Sequence, residues 1–413
     1  VNRAAGDSAA RANEWLAWRA VAFLWVTYLI NYVDRQVVFS IFPALRSELG
    51  FSEGQLGLVG SVFTWVYSLC MPVMGRVADL APRSRVVLAS LVLWSLATLG
   101  TGLSGSVSVF LVWRGVMGVT ESLYVPAALG LIASLHGTAT RSKALAIHGT
   151  AQLAGIVVGG WYGGWAAETI GWRQGFFLLA GAGVVYAFVL ARVLSGAGAL
   201  PPPGPEKGAA PLEVFRSRCF LALVGAFFAF CAMLWMLYAW LPDFVRARYG
   251  LSLAQSGFTA TFYLQAGSAL GVLAGGVLAD GAVRRFAAGR FYIAGLGLLA
   301  SAPLAYLTFA SASLRMLALA ATCFGLLAGL MIANVFAAAY DVISERNYGF
   351  GAGVLNLMGG LAGGAAIFFT GLWKDSFGIA TLMGWAALAA MAAASVMLLV
   401  TAAGFEADRR RFV

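Results

Sequence analysis

Twelve apolar runs, each long enough to cross a bilayer, constrain this chain more than any motif in it. They fall at about 16–43, 54–78, 86–105, 107–135, 143–167 and 172–194, then at about 216–243, 253–279, 290–310, 315–342, 349–373 and 378–403. A helix needs about 20 mostly apolar residues to span the hydrocarbon core. Inside that core only helices and closed barrels satisfy the backbone. Runs of this length predict helices, so the expected fold class is an all-α membrane protein. Composition agrees, with 61% hydrophobic and 11% charged residues and a mean hydropathy of +0.84. A soluble domain carries about a quarter of its residues as charges.

The sixth and seventh runs are separated by "SGAGALPPPGPEKGAAPLEVFRSR", rich in Pro, Gly and Ala and without an apolar period. It reads as an extended linker. The predicted organisation is an N-terminal six-helix half at 1–194, a cytoplasmic linker at 195–214 and a C-terminal six-helix half at 215–413. An even number of spans puts both chain ends on one side. Of the 27 Lys and Arg, nineteen fall on that side, including Arg141, Lys143, Arg216, Arg218 and Arg409 to Arg411. Six fall on the other side (Arg46, Arg173, Arg246, Arg248, Arg315 and Lys374), and Arg35 and Arg114 lie within spans. The positive-inside rule then makes both termini cytoplasmic. The net charge of +10 follows from this topology and forms no single cluster, which argues against nucleic-acid binding. The stretch "VNRAAGDSAARANEW" lacks the apolar core and cleavage site of a signal peptide, so the first span is expected to direct insertion. Cys70, Cys219, Cys231 and Cys323 are scattered with no CxxC pair, and no metal or cofactor is expected.

The two halves carry a matching pattern. The second span ends in "GRVADLAPRSR" and the eighth in "GGVLADGAVRR". Aligned on Asp79 and Asp280, both read G-x-x-x-D followed by arginines: Arg83 and Arg85 in one, Arg284 and Arg285 in the other. Gly75 and Gly276 permit close helix approach. Two pseudo-symmetric six-helix halves related by a parallel repeat are the plan of the major facilitator transporters. The six charged residues are expected to form a gate at the cytoplasmic closure.

Charges inside the spans are costly, about 2.5–3.5 kcal/mol each on insertion scales, and mark function. "NYVDRQVVFS" places Asp34 beside Arg35 in the first span, and "WRGVMGVTESLYVP" places Arg114 and Glu121 two turns apart in the fourth. Adjacent residues are about 100° apart around a helix, so one member of the D-R pair is expected to face the fourth span and the other a central cavity. Gly115 and Gly118 let another helix approach. If the first and fourth spans are neighbours, two acids and two arginines share one cluster. A static ion network that orients helices is one account of it. A proton-coupled site is the other, because moving an arginine from an acid onto an anionic substrate frees the acid to take a proton.

These stretches, with "RSKALAIHGTAQLAG" in the fifth span and "GVLNLMGGLAGG" in the eleventh, resemble the anion:cation symporters of the major facilitator superfamily, which include sialin, the vesicular glutamate transporters and bacterial sugar-acid permeases. The resemblance covers nearly the whole chain. It implies that Asp34 and Glu121 carry protons, that Arg35 holds the substrate carboxylate, and that Tyr32, Tyr67, Gln152 and Asn356 line the cavity. Arg114 matches the arginine that pairs with the acids. The residues alone leave each polar side chain equally able to bond a neighbouring helix. Where the superfamily's second loop has a basic residue and then a glycine, this chain has Leu80 and Pro82, which departs from the usual gate.

The expected function is therefore proton-coupled symport of a small organic anion, such as a carboxylate or sugar acid, by alternating access. The protein is expected to be a monomer in a bacterial inner membrane. A spinster-like carrier of a lysolipid shares the D-R pair and the glutamate and is the alternative. "AFFAFCAMLWMLYAW" in the seventh span would suit its cavity. An enzyme is not expected, since paired histidines or cysteines and hydrolase motifs are absent. A channel fits the glycine-rich spans less well than rocking halves. His148 is open between substrate binding, pH sensing and packing, while His136 reads as non-functional. Glu168, Lys374 and Asp375 read as solvated loop charges.

Overall fold

The computed structural model describes residues 2–195 and 211–412, excepting the side chains at 2–14, 79, 138, 139 and 211. The expected linker falls mostly at 196–210, outside the described residues. The first half contains α1 (Asn2–Ser40), α2 (Phe42–Leu49), α3 (Glu53–Leu80), α4 (Arg83–Gly102), α5 (Val107–Ser122), α6 (Tyr124–Leu135), α7 (Thr138–Thr169) and α8 (Trp172–Leu194). The second contains α9 (Arg218–Tyr249), α10 (Leu253–Val283), α11 (Gly289–Ala310), α12 (Leu314–Tyr340), α13 (Tyr348–Phe377) and α14 (Ile379–Phe412). Twelve segments among the described residues are long and apolar enough to cross a membrane, and each matches a run in the sequence.

Two runs are broken where hydropathy shows no break, both near proline. The first span stops at Ser40 rather than 43. Pro43 has no N–H for the Phe39 carbonyl and crowds that turn, so the chain turns at Ile41 and restarts as α2. The fourth span divides at Leu123 into α5 and α6. There Pro126 cannot donate to the Ser122 carbonyl.

The repeat extends beyond the aspartate motif. After α2 the chain turns at Gly50, and after α9 at Gly250, both with φ of 66°, a conformation that favours glycine. Ser52 and Ser252 then cap α3 and α10, each in a reciprocal capping box with a glutamine, Gln55 or Gln255. Arg46 and Arg246 hold the same place, four residues before the respective glycine.

The halves meet along two seams, α3 on α13 and α7 on α10. Backbones approach closely there. A Cβ on Gly257 would run into the Gly160 carbonyl, and one on Gly164 into the Leu253 backbone. Across the α3–α13 seam Ser61 Oγ donates to Gly364 O at 2.6 Å, and beside the seams, within each half, Ser40 Oγ donates to Gly160 O at 2.8 Å and Trp240 Nε1 to Ile367 O at 3.1 Å. Between membrane helices each such bond is worth about 0.6–2 kcal/mol. All these contacts lie toward the face opposite the chain ends, the far face. Toward the chain ends the seams part: Gly75 of α3, Gly149 of α7, Gly276 of α10 and Gly349 and Gly353 of α13 have nothing within reach of a Cβ. The packed core follows suit. One cluster joins Phe39, Phe42 and Phe51 to Phe230 and Trp240 across the halves, whereas Leu24, Val87, Trp94 and Tyr124 form a cluster within the first half alone. The central cavity therefore opens on the face carrying the chain ends.

Candidate functional site

At the apex of that cavity α1 and α5 bring two of the four predicted charges into direct contact. Arg35 Nε donates to Glu121 Oε2 at 2.6 Å, with side-chain exposures of 7% and 0%. The guanidinium lies over three rings, Tyr67 at 4.2 Å, Tyr32 at 4.8 Å and Phe63 at 5.2 Å. Arginine suits this place because its planar group can pair with a carboxylate edge-on while its faces meet aromatic rings. Tyr32 shares the Arg35 face because the two are three residues apart. Asp34 points away from that cage. It is buried, with Trp94 and Thr98 of α4 as the polar side chains facing it and Glu121 and Arg114 in electrostatic range. The D-R pair does divide its members between two sides of α1, with Arg35 toward the fourth span and Asp34 toward α4, the third, rather than toward a cavity.

The geometry bears on two assignments. Arg35, expected on the substrate, is bonded to Glu121 in this conformation. Arg114, expected to pair with the acids, forms no ion pair among the described residues. Its Nε donates to Val59 O at 3.2 Å, its Nη1 contacts Met117 Sδ at 3.1 Å, and its guanidinium lies 4.8 Å from the Phe63 ring. Gly118 explains this, because it admits the α3 backbone so closely that a Cβ there would lie 2.8 Å from Phe63 O. The Val59 carbonyl is thereby the nearer acceptor. Arg114 keeps an electrostatic role without a direct bond.

The predicted polar residues are only partly assembled. Tyr32 and Tyr67 flank Arg35. Gln152 accepts from Tyr28 Oη at 3.4 Å, and Tyr28 packs edge-on against Tyr32 at 5.1 Å. Asn356 is exposed and bonds its own helix at Ala352 O, 3.0 Å away. It lies one turn from Gly360, which meets Ser68 of α3, so it faces the first half where the seam has parted. His148 is buried in an aromatic pocket, with Nε2 3.0 Å from Tyr124 Oη and its ring stacked 4.6 Å from Tyr28. His136 packs against Trp18 at 4.7 Å. The second half contributes a buried pair that the sequence did not single out. Gln265 Nε2 donates to Tyr238 Oη at 3.0 Å, and Gln36 Nε2 crosses from α1 to Tyr238 O at 3.2 Å. Lone amides in apolar helices were the available signal.

The expected gate is not assembled among the described side chains of Arg85, Asp280, Arg284 and Arg285. Arg83 Nη1 donates to Gly130 O at 3.1 Å, and the side chain of Asp79 lies outside the described ones. Arg85, Asp280, Arg284 and Arg285 are exposed and make no ion pair among the described residues. On the far face, by contrast, charges read from sequence as solvated close the molecule. Lys374 of α13 pairs with Glu53 of α3 at 2.6 Å and Asp243 of α9 at 3.4 Å, and Arg46 of α2 bridges the same two acids at 2.6 and 3.1 Å. Glu168 accepts from the Leu253 and Ala254 backbone N–H groups at the start of α10, at 2.6 and 3.3 Å, and lies 3.6 Å from Arg246. Carboxylates are favoured at such a helix start. Asp375 alone of this group stays exposed and unpaired among the described residues. Exposed pairs are worth about 0–1 kcal/mol each, so this latch acts as a network.

A twelve-span helical membrane protein in two repeated halves, with a charged cavity apex and one face closed, has the architecture of an alternating-access transporter. The family model for the Major Facilitator Superfamily matches residues 24–367, and the chain belongs to that superfamily. It is similar to a D-galactonate transporter from Escherichia coli O6:H1, 25% identical over 92% of this chain and 94% of that one. It is also similar to a probable sulfoacetate transporter from Cupriavidus necator, 29% identical over 62% of this chain and 64% of that protein. Protein spinster from Drosophila melanogaster is 26% identical over 70% of this chain but 50% of its own length. Among solved structures, a bacterial homolog of the human lysosomal transporter spinster, inward-facing and unoccupied, superposes with a TM-score of 0.75 over 95% of this chain and 97% of that one. At 21% identity that likeness speaks for the fold.

Proposed function

We propose that the protein is a proton-coupled importer of a small organic anion, and the buried Arg35–Glu121 pair is the observation that carries this. Both partners lie at the closed end of an open cavity, and a substrate carboxylate or sulfonate would compete with Glu121 for one guanidinium. Protonation of Glu121 gives up Arg35 to the anion, and anion release lets Glu121 ionise and recapture it. Asp34 is the second proton carrier, and Arg114 tunes both acids through space. Tyr32, Tyr67, Gln152 and, from the second half, Asn356 line the anion's path. Relatives named for galactonate, sulfoacetate and galactarate or glucarate share an anionic group, which supports this class of substrate.

The basic-residue bias supports cytoplasmic termini in a bacterial inner membrane, so the open face is cytoplasmic and the state inward-facing. In the outward-facing state Asp79, Arg83 and Arg85 would meet Asp280, Arg284 and Arg285. The halves at 1–194 and 215–413 would rock on the linker at 195–214, in a monomer.

Ligand-dependent thermal stabilisation tests the substrate class. Hexonates, hexarates, short sulfonates and a lysophospholipid are compared on wild type and Arg35→Ala. An acid is expected to raise Tm, with at least ten-fold weaker binding in Arg35→Ala, since losing a charged hydrogen bond costs about 1.5–3 kcal/mol. Stabilisation by the lysolipid alone would favour the spinster-like alternative, which the similarity to protein spinster supports.

A further inference from the structure

We infer that Trp94 and Thr98 of α4 form a neutral donor cradle that sets the proton affinity of Asp34. This positioning role rests on the proton-coupled reading above. Three buried polar atoms here lack a hydrogen-bond partner: Asp34 Oδ1, Trp94 Nε1 and Thr98 Oγ1. The exposures of the three residues are 1%, 0% and 0%. Trp94 and Thr98 are four residues apart on one face of α4, and that face is turned to the Asp34 carboxyl.

Neither donor behaves like its counterparts in the chain. Threonine and serine hydroxyls in these helices commonly spend their proton on the carbonyl four residues back, as Thr27, Ser95, Thr101 and Thr120 do. Thr98 does not. The indoles of Trp65, Trp172 and Trp240 each donate to an acceptor, Leu361 O, Glu48 Oε2 and Ile367 O respectively. Trp94 does not, although its ring is fixed edge-on against Tyr124 at 5.6 Å. A buried unmet donor is costly, and Asp34 Oδ1 is a buried acceptor, likewise unmet, on which both bear.

The charged and titratable groups around Asp34 do not substitute for these donors. Glu121 and Arg114 face it from α5 and Tyr162 from α7. Arg35, next to it on α1, is engaged with Glu121, and Arg114 donates to Val59 O. Donors to a carboxylate favour its ionised form. Two neutral donors can do so without adding charge to the cluster, so α4 adjusts Asp34 independently of the Arg35–Glu121 exchange.

The test is an infrared pH titration of the purified protein in nanodiscs, following the protonated-carboxyl band that Asp34→Asn removes. Without its donors the carboxylate is less favoured, so the band persists to higher pH. Trp94→Phe and Thr98→Val are each expected to raise its midpoint by about one pH unit, while Thr98→Ser keeps the wild-type midpoint. Unchanged midpoints in both variants overturn the cradle. So does a wild-type spectrum from which Asp34→Asn removes no titrating band. Should Thr98→Val fail to give monodisperse protein, Trp94→Phe decides alone. The titration needs no substrate. A wild type that shows no gradient-driven uptake contradicts the transport reading, and the band midpoints still decide the cradle.

Discussion

The Glu121→Gln variant is expected to bind the transported anion about ten-fold or more tightly than wild type at pH 7.5, and to lose accumulation altogether. In wild type the anion must displace a carboxylate from Arg35, a pair at 2.6 Å with Glu121 fully buried. Removing one partner of a buried ion pair leaves the other uncompensated at a cost of about 3–5 kcal/mol. An anion that restores the pairing recovers part of that, and a tenfold gain needs only about 1.4 kcal/mol. The amide cannot cycle a proton, so binding should become nearly independent of pH across the range over which wild-type binding varies. Exchange of labelled for unlabelled anion should persist while uphill uptake fails. Calorimetric titration at both ends of that range, beside counterflow and gradient-driven uptake, reads all three effects. Weaker binding with wild-type pH dependence, or normal accumulation, would show that Glu121 is structural.

Closure of the far face should be equally sensitive to a single side chain. Gly257 and Gly160 pack backbone to backbone, and Ser40 Oγ bonds the same Gly160 carbonyl. Overpacking costs about 1–3 kcal/mol, and here no flexible side-chain end can yield. Gly257→Leu is therefore expected to lower the far-face-closed population about 5- to 100-fold, at about 1.4 kcal/mol per decade, and to slow transport correspondingly. Spin labels at Thr169 and Arg248, exposed on either side of the α7–α10 seam, should report a longer distance. Gly225→Leu, at an exposed site with nothing within 4 Å of a Cβ, is the control and should match wild type. An unchanged distance distribution in Gly257→Leu, with normal transport, would mean that this seam does not gate.

Much of the fold was legible because a bilayer imposes one length on every span. What escaped was local: Pro43 and Pro126 remove donors without lowering hydropathy, so a window across either sees an unbroken run. At the site, the separation of Asp34 from Arg35 followed from helix geometry alone. The direction of Arg114 did not, because it depends on how closely α3 approaches Gly118. Lys374 and Glu168 looked like solvated charges at span ends. Their roles arise only when α3 meets α13 and α7 meets α10 on the far face, and that convergence belongs to one conformational state. Gln265 and Tyr238 were visible only as polar residues in apolar helices, with no spacing to pair them.

The central claim is that an organic anion is moved uphill by protons, and uptake into proteoliposomes tests it most directly. Wild-type protein is reconstituted with an imposed pH gradient, acidic outside, and offered radiolabelled hexonates, hexarates, short sulfonates and a lysophospholipid, with and without an uncoupler. The expected result is accumulation of at least one acid above its external concentration, abolished by the uncoupler and by Glu121→Gln. Movement of the lysolipid with no acid accumulated, or acid uptake indifferent to the gradient, would contradict it.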